Sequence, residues 1–271
     1  MSDTKAIDCW VNVNLGELGT PDYLVDVAAK LFKRGQDLFR DMSIEETLDG
    51  MDKAGIEKTI LTVQAEEPSA HVLSFIKAHP DRFFLGAEID PRRGMKAIRA
   101  LESVTKEHGA LLARITPFYS GIAPSDAIYY PVYSKCIELD LPITINTGIP
   151  GPPAPARCQD PLELDPVCLH FPELKLVMCH GADPWWDVAM RLMLKYENLY
   201  LMTSAYLPKY LPPELIQWMN TRGKTKVIYA SDHPSIPMNR GLEEAKKLEF
   251  RPGVLDRYIR ENAQDLFFSK K

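Results

Sequence analysis

Residues 174–196 read LKLVMCHGADPWWDVAMRLMLKY, and this stretch decides the fold. Leu174 to His180 form an apolar run of strand length that stops at a Gly-containing turn. Asp183 suits an N-cap and Pro184 a first helical position, and the residues that follow carry apolar side chains at helical spacing. One strand, one turn and one helix are therefore expected in sequence.

The same unit recurs in both directions. Apolar runs stand at 6–13 (AIDCWVNV), 58–64 (KTILTVQ), 82–89 (RFFLGAEI), 110–116 (ALLARIT), 142–146 (PITIN), 198–204 (NLYLMTS) and 226–232 (KVIYASD), which makes eight. Amphipathic segments such as 69–80, 94–108, 127–140 and 212–223 lie between them. Continuous apolar strands alternating with helices predict a parallel sheet covered by helices. Eight such units in 271 residues predict an α/β fold, a (β/α)8 TIM-type barrel occupying 1–271 as one domain. A doubly wound open sheet is the alternative, but no G-x-G-x-x-G turn follows any strand. Residues 14–42 make an extended first β–α loop, with a helical stretch near 21–34 placed as a lid over the barrel mouth.

Composition narrows the functions. Net charge is −5 with no block of Lys or Arg, which argues against nucleic acid and anionic membranes as partners. The five cysteines include no C-x-x-C pair and fit a reducing compartment. No secretion signal opens the sequence, and no run approaches the roughly 20 apolar residues of a membrane helix. A cytoplasmic protein acting on a small-molecule substrate is the expectation.

Active sites of such barrels gather where strands run into the following helices. The runs end in Trp10 and Asn12, Gln64, Glu88 and Asp90, Arg114 and Thr116, Asn146 and Thr147, His180, Thr203 and Ser204, and Asp232 and His233. Strand alternation puts Asp8, Trp10 and Asn12 on one face. Several of these have plainer readings. Glu88 and Arg114 could form a buried ion pair, Asp90 and Asp183 could cap helices, and Gln64 could satisfy loop amides. His71, His79, His108 and His170 fall on or near helices, where exposure is the default. His180 and Asp232 close apolar strands ahead of turns, and an imidazole with a carboxyl in one cleft is the usual material of acid–base chemistry.

These residues also carry a resemblance. IDCWVNV (7–13), LPITINTGIPGP (141–152), LKLVMCHGADPWW (174–186), VIYASDHP (227–234) and IRENAQDLFF (259–268) resemble, in order and spacing, the amidohydrolase-2 branch of the amidohydrolase superfamily. That branch includes aminocarboxymuconate-semialdehyde decarboxylase and pyrone-dicarboxylate lactonase. The resemblance implies a metal held by a His-x-His on strand one, a His on strand five and an Asp on strand eight. Here those positions are Trp10, Asn12, Asn146 and Asp232, while His180 matches the usual acid–base or water-orienting residue. Tryptophan cannot ligate a metal, and asparagine offers zinc a poor neutral oxygen.

The expectation is therefore a degenerate zinc site, with no metal and no cofactor. The function expected is metal-independent hydrolysis of a small ester or lactone, carboxylated for recognition. Asp232 serves as general base and His180, Asn146 and Asn12 as donors or positioners. Arg114 would clamp a carboxylate, and Trp10 and Trp185 would wall a flat ring. A decarboxylase or hydratase of the same branch is the second reading, and a metabolite-binding barrel without catalysis the third. The resemblance also implies homo-oligomers.

Overall fold

Eight short, mostly aliphatic strands pair side by side in sequence order, every adjacent pair parallel. The computed structural model describes residues 4–269 apart from 18, 20, 21, 34, 36 and 37. The strands are β1 (Ala6–Val11), β2 (Ile56–Gln64), β3 (Phe83–Glu88), β4 (Leu112–Ile115), β5 (Ile143–Asn146), β6 (Leu176–Cys179), β7 (Leu199–Met202) and β8 (Val227–Ile228). Helices separate them, among them Ile44–Ala54, Ala70–Ala78, Met95–His108, Tyr130–Glu138 and Trp186–Lys195. The (β/α)8 expectation is met. No helix among the described residues is long and apolar enough to cross a membrane.

Two apolar layers follow from strand alternation. Ile7, Cys9, Ile60, Leu112, Val177, Cys179, Met202 and Ile228 fill the barrel, while Leu61, Val63, Leu85, Ala87, Ile143 and Ile145 face the helices. The ring is nearly closed: β8 is two residues long, and a single bridge, Val11 to His233, joins its extension to β1.

The β1–β2 register breaks twice, between Ala6 and Ile7 and again between Asp8 and Val11. Asp8 pairs with Thr59 but Val11 pairs with Leu61, so three steps on one strand match two on the other. This is a β-bulge, and it turns both Cys9 and Trp10 into the interior cluster. The expectation that Asp8 shares a face with Trp10 and Asn12 is corrected accordingly. Asp8 points behind the barrel wall, where Tyr229 and Tyr258 feel its charge.

The helix start predicted at Pro184 is also displaced. The helix begins at Trp186 with Trp185 as its N-cap, and Asp183 instead accepts the Trp186 indole N–H at 3.1 Å. Asp90 does cap, accepting from the backbone N–H of Arg92 at 3.0 Å ahead of a 3-10 turn. The first connection is helical over Asp22–Val27 and continues as a π turn over Ala28–Phe32. Pro21 and Arg34, the ends of the expected helical stretch, lie outside the described residues. A Cβ on Gly151 would meet Leu31 Cδ1 at 2.8 Å and Val27 Cγ1 at 3.5 Å. A segment leaving β1 thus packs against the loop after β5, the strand opposite β1 in the ring order.

Gly86 illustrates how tightly the interior is filled. A Cβ there would lie 2.5 Å from Arg114 Nε and 2.9 Å from Leu112 Cδ1. Overpacking of this kind costs about 1–3 kcal/mol. Gly86→Ala is expected to lower the melting temperature by roughly 2–12 °C, and an unchanged thermal transition would show that the guanidinium has room to move.

Candidate active site

Arg114 is the largest wholly buried polar side chain, placed inside the barrel by its position on β4 beside Glu88 of β3. Its Nη2 donates to the Cys9 carbonyl at 2.8 Å, an acceptor that the β1 bulge leaves to a side chain. Its Nε and Nη1 have no partner among the described residues. Its guanidinium lies 3.6 Å from the centroid of the Trp10 ring. Burial lowers the Arg114 pKa to about 10, opposed by the nearby acidic groups Cys179, Glu88, Cys9 and Asp232. It therefore stays cationic at neutral pH.

The expected Glu88–Arg114 ion pair is not among the described salt bridges. Glu88 accepts instead from Gln64 Nε2 at 2.9 Å and from the Thr116 hydroxyl at 2.9 Å. Gln64 thus serves a carboxylate rather than loop amides.

Trp10 links Arg114 to His180, whose ring centroid is 4.5 Å away at a tilt of 51°. The Ser204 hydroxyl accepts from the His180 backbone N–H at 3.0 Å and lies 2.6 Å from the ring Nδ1. The Ser204 hydroxyl can donate to Nδ1 when the ring carries its proton on Nε2, or accept from it in the other tautomer. Burial, then the Arg114 charge, hold the imidazole pKa well below its ordinary value. His180 is thereby a neutral imidazole at neutral pH, not a cation.

Asp232 is buried and its Oδ1 accepts from Asn12 Nδ2 at 3.4 Å. Burial raises its pKa to about 7, opposed by a hydrogen bond from Ser235 and by Arg114. Asn146 Oδ1 accepts from the Cys179 thiol at 3.1 Å across the β5–β6 pair. His180 and Asp232 both adopt left-handed backbone, at φ 60° and 61°. Non-glycine residues held this way concentrate at functional sites.

Of the residues singled out in sequence, Trp10, Arg114, His180, Asn12 and Asp232 come together, with Asn146 joined through Cys179. Trp185 is half-buried at its helix start and enters none of the described hydrogen-bond or ring contacts of the group. Ser204 and Cys179 tie the group together, although sequence gave neither a role. Only the position of Ser204 at a strand end marked it. His170 is exposed as expected, whereas His71, His79 and His108 are half-buried, His71 with its Nε2 2.9 Å from the Met42 carbonyl.

A family model described as Amidohydrolase (Amidohydro_2) matches residues 7–268, and the chain belongs to that family. No curated protein matches. Among solved structures, an uncharacterized TIM-barrel protein from Bordetella bronchiseptica is 23% identical, with TM-score 0.81 over 97% of this chain and 98% of that one. The 2,6-dihydroxybenzoate decarboxylase from Rhizobium is 17% identical, with TM-score 0.71 over 97% and 98%. A dihydroxybenzoic acid decarboxylase from Polaromonas sp. JS666, with bound manganese and the inhibitor 2-nitroresorcinol, is 19% identical, with TM-score 0.65 over 97% and 96%. At these identities the likeness carries the fold.

The manganese in the Polaromonas enzyme overturns the expectation that no cofactor goes with this site. Loss of imidazoles argues against zinc, not against divalent cations that take oxygen donors. The donor set of this chain nevertheless does not fit a conventional metal centre. No three His, Cys, Asp or Glu side chains converge among the described residues, and the amide of Asn12 stands against Asp232 where the resemblance implies a histidine. The two findings disagree, and both stand.

Asp232 and Asp8, the latter raised by burial to about 6, both keep their protons longer in the folded chain than in the unfolded one. Their contribution to stability falls as pH rises from about 4 to about 7. The low pKa of His180 acts oppositely, removing stability as pH falls below 6.5. The two effects overlap in the parent, so a variant is needed to separate them. Asp232→Asn is expected to stabilise the chain by on the order of 1–4 kcal/mol above pH 7 and by little near pH 4. Denaturant unfolding at the two pH values reads the difference, and a pH-independent offset would contradict the burial of Asp232 as a proton-retaining acid.

Proposed function

We propose that this protein is a lyase that removes carbon dioxide from a small aromatic or similarly unsaturated hydroxy acid. The observation that carries the reading is the pairing of a buried, proton-retaining carboxyl, Asp232, with a buried guanidinium that has two unused donors. The first can protonate carbon, and the second calls for an anionic oxygen. The kinship of fold with decarboxylases of dihydroxybenzoates supports the choice of substrate class.

In this mechanism the Asp232 acid gives its proton to the ring carbon that bears the carboxylate. The bond to the carboxylate then breaks, its electron pair returns to the ring, and carbon dioxide leaves. Asp232 is left as a carboxylate and regains its proton from solvent. An ion pair to the departing carboxylate would stabilise the ground state more than the transition state. Arg114 is therefore assigned to an oxygen that keeps its charge, such as a ring oxyanion or a second carboxylate. The departing group is assigned to neutral side chains: Asn12, Asn146 and His180. Trp10, covered by Arg114 and His180, holds both in place, and Trp185 at the rim is left for the ring of the ligand.

Hydrolysis of a carboxylated ester or lactone is the second reading. The contact between Asp232 and Asn12 favours it, because a carboxylate base with an adjacent amide donor can deprotonate water and steady an oxyanion. In either case the ligand is a small molecule.

Incubation with 2,6-dihydroxybenzoate and related hydroxybenzoates, with and without manganese, is expected to release carbon dioxide and the decarboxylated ring. Asp232→Asn should lower kcat by at least about 100-fold. Turnover of lactones without carbon dioxide would replace the first reading by the second. An Asp232→Asn variant as active as the parent would remove the acid of the first reading and the base of the second.

A further inference from the structure

The seam between β8 and β1 lacks the ladder that joins the other neighbouring strands, and a single bridge from Val11 to His233 stands in its place. Asp8 lies wholly buried at this seam. Its Oδ1 accepts from the backbone N–H of Ser231 at 2.9 Å and from that of Trp10 at 3.3 Å. Its Oδ2 accepts from the Ser231 hydroxyl at 2.5 Å, and the same hydroxyl oxygen accepts from the His233 backbone N–H at 3.0 Å. Asp8 and Ser231 together thus satisfy three backbone N–H groups. One belongs to the β1 bulge, and the other two flank Asp232.

Asp232 sits between the two pinned amides in left-handed backbone, which a residue with a Cβ rarely adopts without support. Trp10 sits in the bulge that the third amide secures. We propose that Asp8 is a positioning residue, which with Ser231 clamps the 231–233 turn so that the Asp232 carboxyl is held at the barrel mouth. The functional half of this inference rests on the role given to Asp232 above; the clamp itself does not.

The chemistry explains why an acid occupies this place. An ionised carboxyl is acceptor-only with several lone-pair sites, so it can take the three donors Trp10 N–H, Ser231 N–H and Ser231 O–H at once. An asparagine offers one oxygen and brings two hydrogens that face donors. An apolar residue would strand backbone groups in the barrel wall, where no water replaces the lost partner.

Hydrogen exchange followed by mass spectrometry on the full chain tests the clamp without any substrate. In Asp8→Asn, peptides covering 8–12 and 229–235 should exchange at least about tenfold faster, while peptides from the helix 95–108 keep the parent rate. Ser231→Ala removes only the hydroxyl and should loosen 231–235 while leaving 8–12 nearer the parent, which keeps the test alive if Asp8→Asn fails to fold. Parent-like exchange at the seam in the folded variants overturns the clamp. With a turned-over substrate, Ser231→Ala and Asp8→Asn should lower kcat while KM holds within about twofold, as expected of an interaction that matters in the transition state. A loosened seam with parent kcat overturns the positioning role. A loosened seam in a protein whose parent turns over nothing upholds the clamp and counts against the function proposed above.

Discussion

A guanidinium inside a β-barrel is the constraint around which this mouth is built. Removing a cation from water costs several kcal/mol even after relaxation. Arg114 recovers part of that from one charge-assisted hydrogen bond to Cys9 and from the face of Trp10. Both compensations come from the β1 bulge, which presents a carbonyl and an indole where regular alternation would present one side chain. Gly86 leaves the space that the group fills. Burial first, and then this charge, hold His180 neutral, and the charge opposes the burial-driven rise in the Asp232 pKa. Two nitrogens, Nε and Nη1, have no partner among the described residues, so the cost is only partly offset in the chain itself.

The seam supplies the second half of the arrangement. Elsewhere, neighbouring strands set one another's register through backbone ladders. Where β8 meets β1, a buried carboxyl takes over that task. The consequence is geometric, because the same three hydrogen bonds govern the bulge carrying Trp10 and the turn carrying Asp232. Two of the residues on which the proposed chemistry depends are therefore positioned by one side chain that stands behind the barrel wall.

Much of this was legible in sequence. Eight apolar runs separated by helical periodicity specify the barrel, because a parallel strand buried on both faces leaves an unmistakable run of aliphatic residues. Trp10, Asn12, Arg114, Asn146, His180 and Asp232 were visible as polar or aromatic ends to such runs. The face of Asp8 was not legible, since alternation was assumed and a bulge leaves no mark in residue types. The ladderless seam was hidden because VIYASD reads as a full strand while only Val227–Ile228 pairs as one. The start of the helix at Trp186 was missed because a cap and a proline are local signals, whereas the bond from the Trp186 indole to Asp183 is not. The cofactor expectation failed differently: it weighed these positions against zinc alone.

Calorimetric titration with 2-nitroresorcinol, whose acidic ring oxygen ionises, and with its neutral dimethyl ether tests the central claim, that the buried cation is a receptor for an anionic ring oxygen. One charge-assisted contact of about 2 kcal/mol predicts that the phenolate binds roughly 30-fold more tightly than the ether, and that Arg114→Met abolishes the preference. Equal affinity of the two ligands for the parent, or a preference that survives in Arg114→Met, would contradict it.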